Sequence, residues 1–260
     1  MKKLLSIISL STLLFTSCSK DSDTVPAEAD GKATVSFDAV FGSQDFALNK
    51  DFTSGTKTLN FSKFRYWVSN VTLVNSKGEE YKVPNSYYLV EETSAVPVQD
   101  GAFTYPAKKR EDVVLSNIPL GDYKTIKFSI GVDQKYNDNL SLQTGELSQL
   151  NGMTNVSWMW MTSYIFSSVG GKVTENGSSK TLLVETGLNA NYKTVTLDLP
   201  QAVKISSAKD TKIVLNADVA KTIDGMDVVT NPVVGASKAE IMAAVATNYS
   251  TKVFSVKSVN

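Results

Sequence analysis

The stretch TLNFSKFRYWVSNVTLV, residues 58–74, is long and rich in the aromatic and β-branched residues that favour strands. Its aromatic residues Phe61, Phe64, Tyr66 and Trp67 are unevenly spaced, so an extended chain places them on both of its faces. Large apolar rings on both faces are typical of a strand inside a hydrophobic core. We therefore predict that this stretch is a core strand, and the alternative is that one of its four aromatic residues lies at the surface.

Most of the remaining chain alternates apolar and polar residues with a period of two. Ala33, Val35, Phe37 and Ala39 are separated by polar residues, which is the pattern of a strand with one buried face. Further strand-like stretches occupy residues 87–92, 112–118, 123–133, 156–169, 181–187, 193–199, 212–219 and 251–259.

Helix signals are few. Ser237 and Glu240 form a capping box before an apolar stretch, and residues 218–223 favour one short turn. Roughly nine or ten strands with so little helix predict an all-β fold, a single β-sandwich with one or two short helices. The chain shows no internal repeat or linker, so we predict one domain over residues 33–260.

The N-terminus has the pattern of a lipoprotein signal. Lys2 and Lys3 precede an apolar run that is too short to span a bilayer and ends just before Cys18, the only cysteine. We predict a signal peptide over residues 1–17, lipidation of Cys18 and a flexible polar tether over residues 18–32. The alternative interpretation of Cys18 is a free thiol near an ordinary cleavage site.

The acidic stretch SKDSD behind Cys18 resembles the export signals of Bacteroidetes-type lipoproteins. We therefore expect a lipoprotein anchored in the outer membrane by its lipid, facing the periplasm or the cell surface. Basic and acidic residues both number 26, and loss of Lys2 and Lys3 with the signal leaves a slightly acidic chain. Without a basic stripe, binding to nucleic acid is not expected.

The chain contains no histidine, which bears directly on catalysis. The commonest general base, the commonest metal ligand and every Ser/His or Cys/His nucleophile are therefore missing. Ser-x-x-Lys occurs at Ser54/Lys57 and Ser206/Lys209, but such pairs arise by chance in a chain rich in both residues. We predict that the protein is not an enzyme, and a hydrolase built on two carboxylates is the alternative.

Residues 151–164, NGMTNVSWMWMTSY, concentrate methionine and tryptophan without any charge. One interpretation is a soft-metal site in which the thioethers of Met153, Met159 and Met161 bind Cu(I) beneath an indole ring. The interpretation that we favour is sheet core, where Trp supplies packing area and Met fills gaps.

The stretch GVDQKYNDN offers hard oxygen ligands on one loop, namely Asp133, Asn137, Asp138 and Asn139. Calcium prefers such oxygens, but no Glu closes the run at the spacing of an EF-hand, and Lys135 lies within it. The interpretation that we favour is an Asx-rich turn whose side chains bond to nearby backbone.

Two clusters of charge stand out along the chain. Glu91 and Glu92 form one, and residues 108–112, KKRED, form the other. Charged clusters of this kind usually lie in solvated loops. We predict that both clusters are solvated.

Several of these stretches together resemble one known family. These stretches are FRYWVSNVTLVNSKGEEY, IPLGDYKTIKFSIGVDQKYN, TGELSQLNGM followed by WMWMTSYIF, and KIVLNADVAK. The resemblance as a whole runs from about Val35 to about Ile223. Over this range the chain is similar to the MbnP family of secreted or lipid-anchored β-sandwich proteins. The family is named for a methanobactin-associated partner of a di-haem peroxidase-like protein, so the resemblance implies a partner of that kind. Copper-binding relatives use imidazole together with a Trp oxidised to kynurenine, which implies copper as a cofactor.

The sequence departs from the copper-binding members of this family. It has no histidine, and Glu185 or a neighbour stands where relatives carry one. Residues 154–156 look inserted, and Ser163 stands where Gly is common. The imidazole site therefore cannot form. A copper site in this chain would need the remaining candidate ligands, which are Met153, Trp158, Met159, Trp160, Met161 and Glu185.

These observations predict a non-enzymatic, lipid-anchored envelope protein that binds a ligand or a partner. Its copper site is predicted to be lost or altered because the histidine is missing. The alternatives are a Cu(I)-binding protein with Met and Trp ligands, a carboxylate-based hydrolase, and a structural surface adhesin.

Overall fold

The structure, a computed structural model, describes residues 31–98, 101–155 and 163–260. Strands hold 57% of the described residues and helices hold 14%. The all-β prediction is therefore confirmed. None of the described helices combines the length and the apolar character that crossing a membrane requires.

Most of the described residues belong to strands joined by short loops. In chain order the strands begin with β1 (Gly31–Phe41), β2 (Gln44–Asp45), β3 (Asp51–Ser54), β4 (Lys57–Asn75), β5 (Glu80–Lys82), β6 (Tyr87–Thr93), β7 (Val96–Val98), β8 (Phe103–Tyr105) and β9 (Lys108–Arg110). They continue with β10 (Asp112–Ile118), β11 (Gly121–Ile130), β12 (Thr154–Asn155), β13 (Ser163–Glu175), β14 (Ser178–Gly187), β15 (Lys193–Ile205), β16 (Thr211–Asp218), β17 (Val233–Val234) and β18 (Phe254–Val259). The α-helices are α1 (Gln134–Asn137), α2 (Val219–Thr222) and α3 (Ala239–Asn248). A π-helical turn, Tyr249–Val253, continues from α3.

Two sheets face each other across the core. The first has the strand order β10-β1-β16-β18, and β2 pairs with β1. The second has the order β15-β11-β4-β13-β14-β17 and is extended by shorter strands along β4, β6 and β13. The first sheet is mixed, because β1 runs parallel to β16 and antiparallel to β10. This arrangement confirms the predicted β-sandwich.

The strand β4 is 19 residues long and organises the second sheet. One of its edges pairs with β13 and then with β11, whereas the other pairs in turn with β3, β6 and β5. Its aromatic residues Phe61, Phe64, Tyr66 and Trp67 are all buried, as the sequence predicts. This strand therefore lies inside the protein, with neighbours along both edges and cover on both faces.

Phe37 of β1 joins the two sheets through contacts between aromatic rings. Its ring lies edge-on to Tyr66 of β4 at 6.2 Å and to Phe128 of β11 at 5.3 Å, measured between ring centroids. It also meets Phe254 of β18 at 6.0 Å. Edge-to-face pairs at these distances add to the free energy of burial, so this cluster is a centre of the sandwich core.

The alternating pattern identifies the long strands and misses the short ones. The strands β2, β3, β5, β8 and β17 have no more than four residues each, too few for a period of two to stand out. For the predicted strand 156–169, β13 begins at Ser163 in the described residues. Its first part, residues 156–162, lies outside them.

The capping-box prediction at Ser237 is wrong. Lys238 is the N-cap of α3, and its side chain makes no capping hydrogen bond. Ser237 instead lies in a 3-10 turn that precedes α3, which moves it away from the helix terminus. The turn predicted at residues 218–223 does form as α2, where the Asp218 carboxylate accepts a hydrogen bond from the N–H of Ala220 at 3.0 Å.

Candidate functional site

Four polar side chains line up across the second sheet, and we call them the polar row. Glu185 of β14 is opposite Ser168 of β13, which is opposite Arg65 of β4. Arg65 in turn is opposite Glu91 of β6. Opposite residues in antiparallel strands project to one face. Tyr66, next to Arg65, projects the other way and contacts the first sheet, so the polar row lies on the outer face of the second sheet.

Arg65 and Glu91 form an ion pair that is shut off from water. Their side chains are 1% and 0% exposed, and Arg65 Nη2 lies 2.8 Å from Glu91 Oε2. Arg65 Nε donates a hydrogen bond to the same oxygen at 2.8 Å, and Nη2 donates another to the carbonyl of Asn151 at 2.6 Å. A charge buried this deeply must be paired, because its loss of hydration costs several kcal/mol.

The second oxygen of Glu91 also has donors. The Tyr105 hydroxyl donates a hydrogen bond to Glu91 Oε1 at 2.5 Å, and Lys108 Nζ lies 3.3 Å from that oxygen. The ring of Tyr105 lies 4.8 Å from Arg65 Cζ, within the range of a cation–π contact. Burial and the hydrogen bond to Glu91 raise the pKa of the Tyr105 hydroxyl. The strands β8 and β9 are thereby tied to the outer face of the sheet.

The other end of the polar row is held by Lys63. Lys63 Nζ lies 3.5 Å from Glu185 Oε1, and Ser168 Oγ donates a hydrogen bond to the same oxygen at 2.9 Å. The Glu185 side chain is 12% exposed. Burial lowers the pKa of Lys63, and the positive charge of Arg65 adds to this effect, while Glu185 opposes it. The Glu185 carboxylate is therefore already engaged by an ammonium and a hydroxyl.

Met153 lies close to the polar row because Arg65 holds the turn that precedes it. The backbone carbonyl of Asn151 accepts the hydrogen bond from Arg65. The side-chain oxygen of Asn151, Oδ1, accepts one from the N–H of Met153 at 2.9 Å. The carbonyl of Met153 accepts one from the N–H of Ile165 at 2.9 Å. The side chain of Met153 is buried in the hydrophobic core. Among the described residues it therefore acts as a packing residue.

The remaining members of the predicted copper set, Trp158, Met159, Trp160 and Met161, lie outside the described residues, as does Cys18. The residues on either side of the set are described, and Asn155 of β12 pairs with Ser163 of β13. The Cu(I) site and the lipidation of Cys18 therefore stay predictions.

Two of the predicted calcium ligands are occupied by protein donors. Asp133 accepts hydrogen bonds from the Tyr87 hydroxyl and, at 3.2 Å, from Asn70 Nδ2. Asn139 Oδ1 accepts hydrogen bonds from the N–H of Ser141 at 3.1 Å and from its hydroxyl at 2.6 Å. The Asn139 contacts are those of an Asx turn, whereas Asp133 is bound by side chains of β4 and β6.

The other two calcium candidates join the loop to its neighbours. Asn137 accepts a hydrogen bond from the N–H of Tyr164 at 2.9 Å and donates one to Asn189 at 2.8 Å. Asp138 accepts one from the Asn189 amide at 2.8 Å. Among the residues that the structure describes, no three His, Cys, Asp or Glu side chains form a group that could hold a metal ion. The calcium site stays a prediction.

The prediction that Glu91 belongs to a solvated cluster is wrong, since the residue is 2% exposed. Its partner Arg65 is 26 positions away in the chain, so no local pattern reveals the pair. The sequence nevertheless contains a signal that Arg65 needs a buried acid as its partner. Arg65 interrupts a strand whose neighbours Phe64, Tyr66 and Trp67 are all apolar, and a charge in such a place requires an acid from another strand.

Replacing Arg65 with Met should destabilise the protein by about 3–5 kcal/mol, because Glu91 is left buried without its main partner. The double variant Arg65→Met/Glu91→Leu should recover most of that loss. Lys109→Met, which removes the ion pairs with Glu92 and Glu111 at a side chain that is 48% exposed, should cost about 1 kcal/mol at most. Urea unfolding measures all three. A loss for Arg65→Met no larger than for Lys109→Met would contradict the role assigned to this pair.

Comparison with known proteins places the chain among its relatives. A solved structure, MbnP from Methylosinus trichosporium, matches with 19% sequence identity and a TM-score of 0.48, over 75% of this chain and 78% of that one. No curated protein matches the chain. The model of the MbnP family matches residues 30–242. That match spans well over half of the sequence, and the chain belongs to the MbnP family.

Proposed function

We propose that this chain is a non-enzymatic, lipid-anchored protein of the cell envelope that binds a ligand or a partner protein and has lost the imidazole copper site of its family. The observation that carries the proposal is the engagement of Glu185. This residue, or a neighbour, stands where copper-binding relatives carry His, and its carboxylate is bound to Lys63 and Ser168.

The charges around the polar row do not fit a bound copper ion. Lys63 and Arg65 already balance Glu91 and Glu185, and each acid is in contact with one of the two bases. A metal ion at Glu185 would have to displace the Lys63 ammonium and would lie near the Arg65 guanidinium, where two positive charges repel it. Arginine stays charged at any pH that the protein meets. The described residues therefore oppose a metal cation at this place.

The enzyme alternative requires two carboxyl groups that flank a space for substrate or water. Glu92 and Glu111 do converge, but on the same ammonium, since Lys109 Nζ lies 3.1 Å from Glu92 Oε2 and 3.3 Å from Glu111 Oε1. Each acid also accepts a backbone N–H, from Leu48 and Ala39 respectively. Lys109 fills the gap between the two acids, so this pair leaves no space for a substrate or a water.

A groove beside the polar row supports the binding role. Phe103 and Leu150 line it and are 41% and 51% exposed, although both are large and apolar. Tyr105 and Lys108, which contact Glu91 beneath, line the same groove of about 590 Å³. Exposed apolar side chains next to polar ones mark contact sites for other proteins. By family resemblance, the partner that we propose is a di-haem peroxidase-like protein.

A competition titration with Cu(I) on the purified protein tests the loss of the copper site. The expected result is no tight, stoichiometric uptake of copper. Stoichiometric uptake would contradict the proposal. Its disappearance in the variant Met159→Leu/Met161→Leu, with retention in Met226→Leu as a control distant in sequence, would assign the metal to Met and Trp ligands instead.

Capture from the native host with the tagged protein tests the partner. The wild-type protein should retain a protein with the absorbance of haem, and Phe103→Ser/Leu150→Ser should lose it because the apolar contacts are removed. Val114→Ser, at another residue that is exposed and apolar, is the matched control. Equal retention of haem by both variants would show that the groove is not the contact surface.

Fractionation of the native host tests the anchor. Wild-type protein should be recovered with the outer membrane, and Cys18→Ala should be recovered in a soluble fraction because it lacks the site of lipidation. Unchanged membrane association of Cys18→Ala would contradict the lipoprotein assignment.

A further inference from the structure

A second pocket, of about 600 Å³, lies at the other end of the chain. One side of it is the loop that follows α2, and the other is α3 together with the π-helical turn. Its volume is within the range of about 300–1,000 Å³ that is typical of small-molecule sites. Neither the polar row nor the groove beside it shares a residue with this pocket.

The wall of the pocket is apolar. Met226 from the loop and Ile241, Ala244 and Val245 from α3 line it. Met242 of α3 is fully buried in the core. The side of the helix that carries Ile241 and Ala244 lies at the pocket. Met226 and Ile241 are only partly buried. Apolar surface is therefore available for a ligand to cover.

The lining is acidic. Asp224, Asp227 and Glu240 contribute carboxylates, and Lys252 is the one base among the lining residues. Lys252 Nζ lies 2.7 Å from Asp224 Oδ2, and its ammonium holds the pKa of the Asp224 carboxyl below its usual range. Glu240 forms no ion pair or hydrogen bond with any residue that the structure describes. Glu240 is exposed at the rim of the pocket, so its carboxylate is solvated and free to pair with a ligand beside the apolar wall.

Asn248 supplies a second, independent feature that points to a ligand. It lines the pocket and is 6% exposed. Its Nδ2 donates hydrogen bonds to the carbonyls of Thr222 at 3.2 Å and Asp224 at 2.9 Å, which fixes the orientation of the amide. Its Oδ1 accepts no hydrogen bond from the described residues. An oriented acceptor with an open lone pair inside a pocket suits an N–H donor.

The π-helical turn helps to shape this pocket. It places Thr251 and Lys252 beside the loop after α2, where Lys252 reaches Asp224. Turns of this type are rare and are frequently found at functional sites. The turn thus adds polar groups to one side of the pocket while α3 presents the apolar side.

From these features we infer that this pocket binds a small organic cation, a protonated amine carried on an apolar body. The ammonium would pair with Glu240 at the rim, the apolar body would cover Ile241 and Ala244, and a second N–H donor on that body would reach Asn248 Oδ1, two turns further along α3. An anion would be repelled by the three carboxylates, and a neutral molecule would gain no attraction from Glu240. This site does not depend on the function proposed above.

Equilibrium dialysis of the purified protein against tryptamine tests the inference, with indole-3-ethanol as the neutral control of nearly the same shape. Tryptamine should bind at one saturable site and indole-3-ethanol about tenfold more weakly, because charge-assisted hydrogen bonds to a carboxylate are the stronger kind. Glu240→Gln should weaken tryptamine by roughly fivefold and leave indole-3-ethanol unchanged. Lys252→Gln should strengthen tryptamine because it removes the one base of the lining.

Two further variants serve as controls. Asp210→Asn removes an exposed carboxylate outside the pocket and should leave binding unchanged. Ala244→Phe fills the pocket from an exposed position of α3 and should abolish binding without disturbing the fold, which circular dichroism checks. The inference is overturned if tryptamine fails to bind, if both compounds bind equally, or if Glu240→Gln has no more effect than Asp210→Asn.

Discussion

The burial of β4 on both faces is the constraint on which the rest of the structure depends. On the inner face, Phe64 and Tyr66 are buried and Tyr66 contacts Phe37 of the first sheet, and apolar side chains of several shapes could pack against them. On the outer face, Arg65 carries a charge into a region without water, and only an acid at hydrogen-bond distance satisfies it. The neighbouring strand β6 supplies Glu91, and the segments that cover this face bring Tyr105 and the carbonyl of Asn151 to the guanidinium.

The outer face of the second sheet carries charges that are paired within the protein. The polar row across β14, β13, β4 and β6 holds two acids and one base, and Lys63 beside it pairs with the second acid. Glu185, the acid at one end of the row, is in contact with the Lys63 ammonium and accepts a hydrogen bond from Ser168. The exposed apolar side chains Phe103 and Leu150 line the groove beside the row.

The C-terminal part of the chain adds a feature of its own. The match to the family model ends at residue 242, whereas Ala244, Asn248 and Lys252 line the pocket beside α3. That pocket has an apolar wall, an acidic edge and an oriented amide, and none of these depends on the polar row. Two regions with different chemistry can therefore be altered independently, as expected for sites with no shared residues.

The sequence by itself determined the class of the fold, because a period of two over many stretches indicates paired strands. It also determined that imidazole chemistry is absent, because the chain has no histidine. It also placed Phe61, Phe64, Tyr66 and Trp67 in the core, since rings on both faces of a strand require cover on both. Strands as short as β2 or β17 leave no period to read. Only the tertiary structure paired Arg65 with Glu91 and Lys63 with Glu185. Such partners meet through strand register across distant parts of the chain, so the local charge pattern wrongly placed Glu91 in solvent. The pocket beside α3 likewise exists only after folding, because its walls come from a loop and a helix that meet through the packing of α3 on the sandwich.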